Sequence, residues 1–197
     1  MRNVFLHTMV SLDGFIEGPD QELDWHFADD EFEEYINNML RSIDGMLFGR
    51  VADQLLADYW PTAAENPMAA ADPSNPQRHI EAAHMMNKLP KFVLSTTLKE
   101  TEWNNSHIIS GNIAEEVLKL KQQPGKDIAL FAGADLAATF MKLGLIDEYR
   151  LVVNPVLLGG GTRLFKGGYE RSNLKLLDVK TFASGALVLT YRPDKKW

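Results

Sequence analysis

Short apolar runs alternate with amphipathic stretches along most of this chain. Residues 4–10, 45–49 and 127–131 have the length and apolar character of buried strands. Between the first two runs, residues 29–43 place five apolar side chains at helical spacing and cluster their acidic residues at the start, where the helix dipole favours them. Strands that alternate with helices are typical of a mainly parallel α/β sheet.

The remaining segments extend this pattern to the C-terminus. Further helices are predicted over residues 50–60, 77–88, 112–123 and from 135 onwards, with strands over 91–95, 107–110 and 147–158. The last two apolar stretches flank Ser184-Gly185 and predict an antiparallel edge hairpin. Residues 11–21 and 61–76 are rich in Gly or Pro and are predicted loops, the second long enough to serve as a lid or rim. We therefore expect a mainly parallel central sheet flanked by helices, as a single domain over residues 1–197.

Composition narrows the classes of function. The net charge of −7 and the absence of a basic cluster give little support to nucleic-acid binding. The chain has no cysteine, which excludes thiolate chemistry and thiolate-bound zinc, and its five histidines are too scattered to suggest a metal site. No run approaches the ~20 apolar residues that cross a bilayer. We expect no membrane association and a cytoplasmic protein.

The strongest candidate chemistry lies where predicted strands end, because ligands of parallel sheets gather at the carboxyl ends of the strands. Ala132-Gly133-Ala134 joins a strand to the helix that continues through Asp135 and Leu136. Small residues at a helix start let a phosphate approach unpaired backbone N–H groups. Close packing is the competing explanation for the glycine, and the Asp135 carboxylate could compete for the same N–H groups.

Two further strand ends carry polar groups. Gly49-Arg50 could supply a guanidinium that grips phosphate with two hydrogen bonds, or Arg50 could be an ordinary surface side chain. Ser95 and Thr96 could donate hydroxyls to the same ligand, or cap the segment that follows them. Together these elements suggest a ligand with more than one phosphate.

The order of these motifs resembles the dihydrofolate-reductase-like fold, and most closely the stand-alone proteins similar to the reductase domain of bacterial riboflavin biosynthesis. The matching stretches cover nearly the whole chain in family order: "SLDGFIEGPDQELDW", "MLFGR", "KFVLSTTLKETEWNNSHII", "DIALFAGADLAATFMKLGLIDEYRLVVNPVLLGGGTRLF" and the final hairpin. The segment "GLIDEYRL…PVLLGGGTRLF" is the most specific of them.

The resemblance implies NADPH as hydride donor and assigns roles to particular positions. Gly49-Arg50 would approach the adenosine phosphates, Ser95-Thr96 would lie beside the adenosine end, and the turn at 132–136 would receive the diphosphate. Asp13-Gly14 and Trp25 would flank the nicotinamide and the substrate. The loop from Gly159 through Gly160, Gly161 and Thr162 would lie near the reacting end of the cofactor.

Two positions depart from the family pattern. The family usually has two glycines at the diphosphate turn, where this chain has Ala132, and the peptide bond between them is often cis. A hydroxyl residue often stands two positions after the arginine, where this chain has Ala52. The second difference removes a phosphate donor and could lower cofactor affinity.

Asp13 is the candidate proton donor, because a carboxyl group among apolar neighbours could stay protonated near neutral pH; it could instead stabilise its own Asp-Gly turn. Asp29, on the helix that contacts the pterin in folate reductases, could touch substrate, although helix capping explains it better. Trp60 could stack on a flat substrate or pin its loop.

The resulting hypothesis is an NADPH-dependent reductase resembling 5-amino-6-(5-phosphoribosylamino)uracil reductase, with no deaminase domain in this chain. Dihydrofolate reduction and nucleotide binding without turnover are the other two hypotheses. Family members are commonly dimers, so we expect a homodimer, with the apolar terminal strands as its interface.

Overall fold

The computed structural model describes residues 1–66, 68 and 76–194. Its elements, in chain order, are β1 (Val4–Ser11), β2 (Phe15–Glu17), α1 (Asp30–Ser42), β3 (Ile43–Gly49), α2 (Arg50–Ala57), a 3₁₀ helix (Trp60–Glu65), α3 (Gln77–Lys88), β4 (Lys91–Leu94), β5 (Ser106–Ile109), α4 (Ile113–Gln122), β6 (Asp127–Phe131), α5 (Ala134–Lys142), β7 (Glu148–Asn154), β8 (Thr162–Arg163), β9 (Leu174–Thr181) and β10 (Leu187–Pro193).

The chain divides into two compact units that interleave in sequence. The first unit comprises Met1–Arg2 and Ala28–Ala129, and the second comprises Asn3–Phe27 and Leu130–Trp197. The unit boundary falls within β6, so that strand contributes residues to both units. The organisation as one domain stays a prediction.

In the first unit, β3, β4 and β5 form parallel pairs in the order β5-β4-β3. Met46, Leu47 and Phe48 of β3 are fully buried, as expected for a parallel strand covered on both faces. Helices α1 and α2 pack against β3. The α1 helix starts where Asp29 accepts a hydrogen bond from the Phe32 backbone N–H (2.8 Å), and it buries Phe32, Met39 and Leu40.

In the second unit, β1 pairs in parallel with β7, β10 runs antiparallel to β7, and β9 runs antiparallel to β10. The short strands β2 and β8 form a separate antiparallel pair. The core of this unit includes Phe5, Leu6, Phe140 and Leu164. Parallel strands with covering helices, followed by an antiparallel C-terminal pair, confirm the predicted α/β class.

Most predicted elements are present, with three differences. The predicted loop at 11–21 contains β2, because Phe15 turns into the core and its strand pairs with β8. The helix predicted over 50–60 ends at Ala57, and residues 60–65 of the predicted loop form a 3₁₀ helix with Pro61 in its first turn. The rest of that loop, residues 67 and 69–75, lies outside the described residues. None of the helices in the described ranges has the length and apolarity to cross a membrane.

Candidate functional site

The start of α5, in the second unit, is an open turn without a capping side chain among the described residues. Gly133 is exposed, and a Cβ added there would meet no described heavy atom within 4 Å. Its φ of −67° is accessible to any residue, so neither packing nor backbone conformation explains this glycine. The Ala132–Gly133 peptide bond is trans, like every other described peptide bond, in contrast to the cis bond that the resemblance implies.

The first turn of α5 keeps its N–H groups available. Ala137 donates the first helical hydrogen bond, to the Gly133 carbonyl at 3.0 Å, so the N–H groups of Ala134, Asp135 and Leu136 have no acceptor inside the helix. No described side chain caps this helix. The Asp135 carboxylate does not compete for these groups, because it accepts from Lys166 Nζ at 2.8 Å on the exposed surface.

The start of α2, in the first unit, resembles the start of α5 in having a glycine at its N-cap. Its N-cap is Gly49, again without a capping side chain among the described residues, whereas Asp29 caps α1 and Asn112 caps α4. Arg50 is exposed, and its Nη1 donates to Gln54 Oε1 at 3.1 Å. An exposed hydrogen bond to a neutral amide leaves the guanidinium able to exchange partners for an anion.

The segment after β4 begins at the strand end that adjoins the start of α2. Gly49 and Leu94 are register partners on the parallel strands β3 and β4, so Arg50 and Ser95 follow paired positions at one end of these strands. Ser95 Oγ accepts hydrogen bonds from the N–H groups of Leu98 (2.9 Å) and Thr97 (3.2 Å), which is the capping alternative. Thr96 is exposed.

Asp13 anchors a loop and is ionised, which corrects the expectation of a protonated carboxyl group. Its Oδ1 accepts from Ser11 Oγ (2.7 Å) and from the Leu158 N–H (3.1 Å), and its Oδ2 accepts from the Gly159 N–H (2.8 Å). The Ser11 hydrogen bond, with the backbone donors, lowers the pKa of Asp13 to about 2 against an opposing desolvation effect. Asp13 therefore fixes the loop after β7 and lacks a proton to donate near neutral pH.

The glycines of the loop after β7 differ in how closely their neighbours pack. Gly161 has a φ of +115°, and a Cβ there would lie 2.1 Å from the Glu17 carbonyl oxygen, so close packing requires this glycine. A Cβ added at Gly160 would lie 3.4 Å from Pro19 Cγ, an ordinary contact, and Thr162 donates its hydroxyl to Glu17 Oε1 at 2.5 Å. The loop is thus held at both ends by the segment that follows β1.

Most of the residues predicted to contact the substrate make hydrogen bonds within their own structural unit. Gly14 has a φ of +90° and accepts from the Leu164 N–H, which makes it part of the turn. The Trp25 indole is only 8% exposed and donates to the Glu22 carbonyl at 3.0 Å. Asp29 caps α1, as the competing explanation required. The Trp60 carbonyl accepts from Asn87 Nδ2 (2.9 Å), which supports the pinned-loop alternative.

Sequence reasoning missed the residues that organise these turns. Ser11 is 1% exposed, donates to Asp13 and accepts from the Phe15 N–H, and a serine two residues before Asp-Gly is a recognisable turn signal. Glu17 and Lys166 act through partners 145 and 31 residues away, so no local pattern indicates them.

Comparisons with known proteins identify the family and the fold. The Bacillus subtilis protein named Uncharacterized protein YyaP is 39% identical over 192 residues, which cover 96% of this chain and 94% of YyaP. A structure from Shewanella sp. PV-4, provisionally assigned to riboflavin biosynthesis, has 20% identity and a TM-score of 0.72 over 98% of this chain and 99% of that one.

Dihydrofolate reductase from Enterococcus faecalis, solved in complex with NADP(H), aligns with a TM-score of 0.63 at 11% identity, over 98% of this chain and 97% of that one. At such identities these two structures establish the fold. The family model described as RibD C-terminal domain matches residues 2–188. The chain therefore belongs to the RibD C-terminal domain family, the riboflavin-biosynthesis reductase family with a dihydrofolate-reductase-like fold.

Proposed function

We propose that this protein is an NADPH-dependent reductase of a small heterocyclic or ribosylamine substrate. The observation that carries the proposal is the start of α5, where free N–H groups meet open space at Gly133. A helix start with these properties favours phosphate, since its dipole and its N–H groups both stabilise negative charge. Family membership supplies the reductase class.

The residues present fit a dinucleotide phosphate. In the second unit, the N–H groups of Ala134, Asp135 and Leu136 would hold the diphosphate. In the first unit, Arg50 with the start of α2 is a separate candidate for holding a phosphate. The Lys166 ammonium neutralises Asp135, so the carboxylate does not repel this ligand. When bound, NADPH would supply a hydride. The chain itself contributes main-chain donors, a guanidinium and the loop that Asp13 holds.

Reduction of the ribosyl group of an aminopyrimidine is the proposed chemistry, as in 5-amino-6-(5-phosphoribosylamino)uracil reductase. Dihydrofolate reduction receives less support, because Asp29 on α1 is engaged in capping. Binding without turnover remains the third hypothesis, and measurement of NADPH oxidation separates it from the two reductase hypotheses.

The test is a titration of the purified protein with NADPH and NADH, followed by turnover against pyrimidine ribosylamines, dihydrofolate and simple carbonyl compounds. We expect NADPH to bind with a dissociation constant between about 1 μM and 1 mM and to be oxidised with one substrate class. Arg50→Gln should weaken NADPH about tenfold, the loss of one charge-assisted contact, and NADH much less.

Arg41→Gln is the matched control, because Arg41 is also an exposed arginine but pairs with Glu81 on the far end of α1. It should leave both affinities unchanged. If neither dinucleotide binds, the proposed function is overturned, and binding without oxidation across the whole panel would convert it to a nucleotide-binding role.

We also propose that the protein is a homodimer through β9. All eight residues of this strand are exposed, including Leu174, Leu176, Leu177 and Val179, and β9 pairs with β10 alone among the described strands. An eight-residue edge strand with both faces exposed and four apolar side chains is a site for pairing with another chain. A second copy can use it symmetrically.

Charge selects one register for this pairing. Two antiparallel copies related by a two-fold axis perpendicular to the sheet place same-face residues opposite each other. An axis at Val179 puts Asp178 of each copy opposite Lys180 of the other, whereas an axis at Asp178 would oppose two carboxylates. The first register therefore brings opposite charges together twice.

Asp178→Lys should make the protein monomeric in light scattering at micromolar concentration, because four ammonium groups would then meet at the axis. The double variant Asp178→Lys/Lys180→Asp should restore the dimer. A wild-type monomer would exclude the interface, and a dimer that survives the single change would exclude this register.

A further inference from the structure

An open cleft of about 780 Å³ lies within the second unit, at the end of α5 that is remote from Gly133. Its walls come from the end of α5, the start of β7, the end of β10 and the segment between β8 and β9. The α5 helix has nine residues, so about 13 Å of helix separates the cleft from the turn proposed for the diphosphate. The cleft is therefore a separate candidate site that the proposed reductase function does not use.

Three aromatic side chains line the cleft, namely Tyr149, Phe165 and Tyr169. Tyr149 is only 8% exposed, and no described residue forms a hydrogen bond with its hydroxyl. Burial, with a smaller contribution from Tyr169, raises the pKa of the Tyr149 phenol, which therefore keeps its proton. Because buried hydroxyls normally have a hydrogen-bond partner, this donor indicates a ligand acceptor in the cleft.

The charged groups at the cleft are of both signs. Arg171 and Arg192 are exposed, and no described carboxylate pairs with either of them. Of the three acidic side chains, Asp147 accepts a hydrogen bond from a backbone N–H of β1 (2.8 Å) and Asp194 is likewise engaged, which leaves Glu170. The end of α5 is the negative end of the helix dipole and also favours a cation. A ligand that carries an anionic and a cationic group complements this lining better than a ligand with one charge.

We propose that the cleft binds a small zwitterion with an aromatic side chain, in the manner of an aromatic amino acid. The volume is within the range of small-molecule sites. The ligand ring would pack among the three aromatic side chains. Its carboxylate would accept from a guanidinium and from the Tyr149 hydroxyl, and its ammonium would be held by Glu170 and the end of α5. This inference goes beyond the proposed reductase function and does not depend on it.

Titration with L-tryptophan, followed by saturation-transfer NMR of the ligand, tests the site. We expect saturable binding with a dissociation constant on the order of 1 mM or below. Indole-3-propionate lacks the ammonium group and tryptamine lacks the carboxylate, so each should bind at least about fivefold more weakly. Saturating NADPH should not displace L-tryptophan, because the proposed diphosphate turn lies at the other end of α5.

Tyr149→Phe keeps the ring and removes the hydroxyl, so the dissociation constant of L-tryptophan should rise about fivefold through the loss of one hydrogen bond. Tyr191→Phe is the matched control, because Tyr191 is the register partner of Tyr149 on β10 and does not line the cleft. It should bind L-tryptophan as the wild type does.

The double variant Arg171→Gln/Arg192→Gln should weaken L-tryptophan at least about tenfold, since it removes both guanidinium groups. NADPH affinity and the thermal unfolding midpoint should stay unchanged, because both arginines are exposed. Arg41→Gln, an exposed arginine of the first unit, should leave the affinity for L-tryptophan unchanged.

The outcomes separate this site from the proposed function. The absence of saturable binding, equal binding of either singly charged analogue, displacement by NADPH, or wild-type affinity in the double arginine variant would each overturn the zwitterion site. A protein that binds L-tryptophan as described but binds neither NADPH nor NADH would overturn the reductase function alone.

Discussion

Gly133→Asp is expected to weaken NADPH binding at least 100-fold without destabilising the protein. The new side chain starts in open space, because a Cβ at this position meets no described heavy atom within 4 Å, and the backbone conformation suits an ordinary N-cap residue. Aspartate at an N-cap accepts the free N–H groups of the first turn, which stabilises a helix relative to glycine by a few tenths of a kcal/mol. The same contact removes the donors that a phosphate would use and adds a negative charge beside it.

The opposite signs of the two effects make this variant informative. Isothermal titration should show the loss of NADPH affinity, and thermal unfolding should show an unchanged or slightly raised midpoint. Asn112→Asp is the matched control, because it places the same new charge at the N-cap of α4, where a side chain already caps the helix. If Gly133→Asp binds NADPH as the wild type does, the start of α5 is not the diphosphate site.

Gly133 and Gly161 illustrate how far sequence reasoning reaches. Both stand in small-residue turns after strands, and the chain alone makes them equal candidates for ligand contact. The structure separates them, because a Cβ at Gly161 would collide with the Glu17 carbonyl whereas one at Gly133 meets nothing. That difference depends on β2, a three-residue strand too short to produce a periodic signal.

The protonation state of Asp13 could not be predicted from the sequence, for a related reason. The location after β1 was predictable, since the strand is apolar and the Asp-Gly turn is a strong local signal. Its two backbone donors, however, come from Leu158 and Gly159, about 145 positions further along the chain. A pKa depends on such partners, so apolar neighbours in sequence gave the wrong direction.

Elements with long periodic patterns were predicted well because burial alone determines them. The α1 helix and β3 begin and end within two residues of their predicted bounds. The segment after α2 was predicted less well, because Trp60–Glu65 forms its 3₁₀ helix through contacts with α3 that no local pattern encodes. The Tyr59–His79 hydrogen bond arises from the same packing, which is why the sequence presented these residues separately.

When the pH is lowered from 7.5 to 5, we expect the buried His7 to reduce the free energy of unfolding by about 2 kcal/mol. This side chain lies in β1, is 5% exposed, and is the register partner of Arg150 on β7. Burial, with a smaller contribution from the Arg150 charge, lowers the pKa of His7 from 6.5 to about 3. The folded state therefore holds a neutral imidazole where the unfolded chain binds a proton, so stability is fully present above pH 6.5 and falls as pH decreases toward 3. At pH 5 the difference is 1.5 pH units, or about 2 kcal/mol.

Urea unfolding of the wild type and of His7→Gln at pH 7.5, 6.5, 5.5 and 5 measures this contribution. The variant should be less stable at pH 7.5, since it changes a packed position, but its stability should fall less toward pH 5. Burial also lowers the pKa of His26, so part of the slope should remain.

Asp13 adds nothing to the pH dependence of stability in this window, because its pKa of about 2 lies below the unfolded value of 3.8 and its stabilisation is already complete at pH 5. His107→Gln, at an exposed position, should keep the full wild-type slope. If His7→Gln keeps it as well, the buried imidazole is not the source of the acid sensitivity, and the pairing of β1 with β7 must accommodate a charged ring beside Arg150.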